Sequence, residues 1–133
     1  MEDKAKELIE RMEKERGFGR LWRKLLAERD PECMEIYHKK ALHVFRDGAL
    51  SRKMKEIICI CVDALQLYEP GVRIHMRNAL KLGATEMEII EALETVTLPS
   101  IHYLSVLLPA VADEAESFKK GIVKEELYED KKG

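Results

Sequence analysis

Histidine is the side chain whose proton comes and goes near neutral pH, so the four histidines are where acid–base chemistry is sought first. His75 stands out because it lies inside an apolar helical stripe with Val72, Met76, Ala79 and Leu80. Two carboxylates, Glu56 and Asp63, sit on the preceding helical segment. Together with Cys59 they are spaced three and seven apart, which places all three on one side of a helix. A carboxylate in so apolar a segment is costly unless it is paired or hydrogen-bonded. Glu56 is therefore either a working group or the edge of a buried face, and His75 either a working group or a satisfied core residue.

Helix geometry by itself does not join Glu56 to His75. Glu56 precedes the break at Pro70 by more residues than separate His75 from it. At about 1.5 Å rise per residue their heights differ by about 12 Å if both helices are regular and meet at the proline. Contact then requires a tilted crossing or a longer loop. Arg73 and Arg77 each stand two residues from His75 and point largely away from it, so either would serve the same pocket from the helix start or across a subunit boundary.

Cys59 and Cys61 are two apart on a helix, so their side chains diverge by about 200° and cannot share a metal or a disulfide. Cys33 lies elsewhere, and there is no Cys-x-x-Cys. They read as small buried hydrophobes. His38 and His43 are five apart, and His102 is isolated. No metal, no organic cofactor and no glycine-rich phosphate loop is expected.

The elements that must carry these groups are helical throughout. Met1 to about Arg16 has a thin apolar stripe (Leu8, Ile9, Met12), as of a peripheral helix, and Gly17 and Gly19 break the chain around Phe18. Asp30-Pro31 is a helix start, and Ser51 caps a broad apolar helix over Met54, Ile57, Ile58, Cys61, Leu65 and Tyr68. Gly83 is a stop, and Thr85 with Glu88 forms a capping box. Pro99 or Ser100 opens the last apolar segment, which Pro109 must kink or interrupt. The expectation is an all-α single domain over residues 1–133, of about six or seven helices. Its core spans about 37–115, with peripheral helices over 1–29 and a charged tail over 116–133.

Composition bounds the function. The 133 residues are 46% hydrophobic with a net charge of −2, which supports one packed core and argues against a strongly basic nucleic-acid binder. A helix-turn-helix reading of the Gly83–Thr85 turn meets Glu86, Glu88, Glu91 and Glu94, which repel phosphate. Three irregularly spaced cysteines imply no disulfide framework, and with no signal peptide at the start the expected compartment is the cytoplasm. Thr95 to Ala112 carries no formal charge and approaches the length of a spanning helix, but the favoured reading is a helix at a subunit contact, without a membrane.

At Leu50 to Glu56, at Arg73-Ile-His75 and at Gly83-Ala-Thr-Glu-Met-Glu-Ile89 the chain resembles the carboxymuconolactone decarboxylase family, which includes the alkylhydroperoxidase D-like proteins. In that family's peroxidase branch a Cys-x-x-Cys stands between the glutamate and the histidine. Here Tyr68 and Gly71 occupy those positions, so neither the thiolate nor the resolving disulfide can form. The lyase branch, lacking the pair, is more similar.

The resemblance implies an alkylhydroperoxidase D-like helical bundle assembled as a homo-oligomer, a hexamer or trimer. It also implies a pocket near His75 partly completed by a neighbour. Within it, His75 and Glu56 would be the catalytic groups, and Arg73 and Tyr68 would bind a small anionic lactone or oxo acid. The alternative is a non-catalytic, oligomeric small-molecule binder on the same scaffold.

Overall fold

A computed structural model describes residues 2–17 and 19–122; Phe18 and the charged tail beyond Ile122 lie outside the described residues. The chain divides into two compact units, Met1–Glu86 and Met87–Gly133.

The first unit holds five helices: α1 (Glu2–Arg16), α2 (Leu21–Arg29), α3 (Pro31–Val44), α4 (Arg52–Leu65) and α5 (Glu69–Lys81). Their starts are written locally. Asp30 accepts from the Cys33 amide at 3.0 Å with Pro31 in the first turn, and Ser51 Oγ accepts from the Met54 amide at 3.1 Å. Helix α5 ends in a Schellman motif. Gly83 takes φ +92°, its amide bonds to Leu80 O, and the Ala84 amide bonds to Ala79 O.

Helix α1 is less peripheral than its thin stripe suggests. Leu8 and Met12 are buried with Ala27 of α2 and Met34 of α3 in one apolar cluster. Helix α1 packs chiefly against α2 and α3, so few of its positions need be apolar. Helices α4 and α5 pack as an antiparallel pair and bury Ile57, Ile60 and Ala79.

The second unit is α6 (Glu86–Ser100), a 3-10 turn at Ile101–Tyr103 and α7 (Leu104–Lys119). Pro99 does not open the last apolar segment. Pro99 lies inside α6 and Pro109 inside α7 without ending it, and the change of winding falls at Ile101–Tyr103. From Glu86 to Lys119 the chain is long and apolar enough, by length and composition only, to cross a membrane. Leu98, Ile101, Val106, Leu108 and Val111 are exposed.

Candidate functional site

The site is built on the turn between α4 and α5. Helix α4 closes in a second Schellman motif, but with a leucine where glycine is usual. Leu67 has φ +53°, its amide bonds to Ala64 O at 3.0 Å, and the Tyr68 amide bonds to Asp63 O at 2.9 Å. Helix α4 thus ends at Leu65 and α5 begins at Glu69. Measured from those ends, Glu56 and His75 differ in height by only about 4–5 Å at 1.5 Å per residue, within reach of a glutamate side chain. The turn, not Pro70, sets the register.

The two side chains meet. His75 Nδ1 lies 2.6 Å from Glu56 Oε2. Glu56 is 1% exposed, and its other oxygen lies 3.4 Å from Asn78 Nδ2 and 3.9 Å from Arg52 Nε. A carboxylate taken out of water is tolerable only with such partners. With Nδ1–H donating to Glu56, Nε2 is the ring nitrogen turned away from that carboxylate. That nitrogen sits 3.7 Å from Asp63 Oδ2. Phe45 stacks on the imidazole, centroid to centroid 5.9 Å at 23°, and fixes its plane.

His75 and Asp63 open onto a cavity of about 260 Å³. Aromatic faces (Trp22, Tyr37, Phe45, Tyr68) form much of its wall. Three guanidiniums complete it: Arg16 lies 4.7 Å from the Phe45 ring centre, Arg20 5.9 Å from that of Tyr68, and Arg23 5.3 Å from that of Trp22. Burial, and then the neighbouring Arg23 charge, push Arg16 below its ordinary pKa. Two larger depressions of about 520 and 540 Å³ lie on the outer faces of α1–α3 and α1–α2; they are more open and neither is lined by a histidine.

The sequence profile of the carboxymuconolactone decarboxylase family matches residues 31–100, more than half of the chain. The chain belongs to the carboxymuconolactone decarboxylase family. A crystal structure from Burkholderia xenovorans LB400, provisionally described as a gamma-carboxymuconolactone decarboxylase subunit, superposes with a TM-score of 0.66 at 33% identity. The match covers 87% of this chain and 47% of that one, so this chain spans about half of that protein's length. No curated protein matches the sequence.

Within the family segment the structure brings together Glu56, His75, Asp63 and Tyr68. It does not bring Arg73. That guanidinium is 65% exposed and bonds Glu69 Oε1 through Nε at 2.8 Å and Nη2 at 2.6 Å. It lies outside the cavity lining because it follows Gly71 by two positions, which on a helix is the opposite side. The cations at the cavity come instead from α1, from Arg20 at the α2 N-cap and from α2 itself, all before residue 31. No sequence pattern marked them, since the break between Arg16 and Leu21 destroys the helical phase that would have aligned them.

Cys59 lines the cavity, but burial, then the Glu56 and Asp63 charges, push its thiol up to about 11. None of the three cysteines is in a disulfide. Among the described residues no group of three or more histidine, cysteine, aspartate or glutamate side chains is placed to hold a metal ion.

Proposed function

We propose that this family member is a cofactor-free carboxy-lyase acting on a small anionic lactone or oxo acid, with its substrate in the cavity beside His75. The observation that carries this reading is the 2.6 Å bond from His75 Nδ1 to a buried Glu56, with the other ring nitrogen facing a cavity lined by cations. On decarboxylation the bond to the departing carboxylate breaks and its electron pair spreads into an adjacent carbonyl. Protonated at Nε2, His75 delivers that proton to the resulting enolate and is reprotonated from water. Glu56 holds the ring in place and stabilises its positive charge.

Thiol peroxidase chemistry is disfavoured, because the cysteine at the cavity is held as a neutral thiol and position 71 carries no side chain. The many exposed apolar residues of α6 and α7, Leu98, Val106, Leu108 and Val111 among them, support a homo-oligomer, since apolar side chains left in water favour a subunit contact.

The test is carbon dioxide release from a panel of carboxylated lactones and 2-oxo acids by wild type and His75→Ala. A fall of about 10²-fold or more in the variant is expected, within the usual range for a general acid. Equal turnover by both proteins eliminates the role. A ligand that raises the melting temperature without being transformed favours the non-catalytic binder instead.

A further inference from the structure

We propose that Arg16, Arg20 and Arg23, contributed by the two N-terminal helices and their junction, form the wall that recognises the carboxylate of the ligand. The inference rests on the cavity beside His75 being the ligand site, as proposed above. It separates the site into two parts. The acid–base pair lies in residues 31–100, the segment matched by the family profile, and the charge-recognising wall lies before it.

Charge is the first support. Three guanidiniums face one carboxylate, Asp63, among the cavity's lining residues. Like charges gathered around a cavity repel, and an anion between them relieves that repulsion. Burial first, and the Arg23 charge second, hold the Arg16 guanidinium below its ordinary pKa, while the nearby Glu56 carboxylate acts in the opposite direction.

Geometry is the second. Each guanidinium lies near an aromatic ring of the wall, which limits its swing. Arg20 is further held by its bond from Nη2 to Pro70 O at 2.7 Å, which ties it to the start of α5 five residues before His75. A guanidinium has five N–H donors in a fixed fork, so one bond to Pro70 leaves it able to grip a carboxylate oxygen. The flat aromatic walls fit a planar, conjugated acid. Arg73, the arginine closest to His75 in sequence, is exposed and bonded to Glu69.

The experiment compares hexa-2,4-dienoate with its neutral amide, two probes of the same carbon skeleton. Binding is followed by fluorescence of Trp22, the chain's single tryptophan, which lines the cavity. The wild type should bind the acid at least tenfold more tightly than the amide. Arg20→Gln should cut that preference below threefold, and Arg73→Gln should leave it intact. Equal binding of acid and amide by wild type, or binding of neither, overturns the proposal. So does a preference that survives Arg20→Gln or vanishes in Arg73→Gln. Should Arg20→Gln lose its helical circular dichroism, Arg16→Gln carries the same outcomes. Charge-selective binding without turnover of any lactone removes the lyase reading and leaves the arginine wall standing. Turnover with a KM unchanged in Arg20→Gln does the reverse.

Discussion

The carboxylate of Asp63 occupies the space that a side chain at Gly71 would need. A Cβ built on Gly71 would lie 2.1 Å from Asp63 Oδ2 and 2.8 Å from Tyr68 Cδ1. Glycine here is therefore a condition for Asp63 to stand beside His75. It also means that a cysteine cannot be placed at position 71 without moving Asp63.

Gly71→Ala should destabilise the protein by about 1–3 kcal/mol, as overpacking of a filled site does. In an Asp63→Ala background the same change should cost clearly less, because the first clash is gone. Urea unfolding of the four proteins measures the difference. Additive effects would contradict the assigned contact.

The Cys59 thiol, pushed up to about 11, sets a pH dependence. A raised thiol pKa means that folding holds the neutral form, so the reactive thiolate appears only as pH climbs toward that value. At pH 8 the thiolate fraction is about one in a thousand, against about one in ten for a thiol at pKa 9. Iodoacetamide at pH 8 should modify exposed Cys33 well before Cys59, and the Cys59 rate should still be rising at pH 10. Mass mapping of the alkylated peptides reads this, and a Cys59 rate that levels off below pH 9 would speak against it. Asp63→Asn should raise the rate by removing one of the two repelling carboxylates.

Leu67 is a non-glycine residue in the left-handed conformation, with its side chain 91% exposed. That conformation costs an L-residue about 1–2 kcal/mol, and glycine loses about 0.5–1 kcal/mol of that gain to its freer unfolded chain. Leu67→Gly should accordingly raise stability by up to about 1 kcal/mol, while Leu67→Val should lower it. Denaturant midpoints decide. A stabilised valine variant would show that the turn does not require a positive φ.

What the sequence made legible was local. The Asp30 and Ser51 caps and the Gly83 stop are each written in one or two adjacent residues, and each stands where their chemistry put it. The meeting of Glu56 and His75 was not legible, because it depends on α4 ending at Leu65, and no glycine announced that turn. The arginine wall was hidden for a related reason. Arg16, Arg20 and Arg23 straddle a break, so their common destination is set by how α1, α2 and α3 pack and not by a spacing. Arg73 entered through the resemblance alone, since helix spacing already turned it away from His75, and in the fold it bonds Glu69 outside the cavity lining.

The oligomer proposal has a simple readout. Light scattering at micromolar concentration in detergent-free buffer should give a multiple of the 15.4 kDa chain mass. Introducing charge at two exposed apolar positions of α7, Val106→Glu with Leu108→Glu, should shift the mass toward the monomer. A monomeric wild type, or extraction only into detergent, would contradict a subunit contact on this helix.

In the proposed mechanism the buried Glu56 carboxylate holds and charges the His75 imidazole. The most direct test of this is the turnover of Glu56→Gln on whichever lactone or oxo acid the wild type decarboxylates. Glutamine keeps the shape and can still accept from Nδ1, but it cannot stabilise an imidazolium by charge. We predict a loss of about 10²-fold in kcat with KM little changed, since the lost interaction belongs to the transition state. A glutamine variant that turns over at the wild-type rate would show that the Glu56 charge plays no part in the reaction.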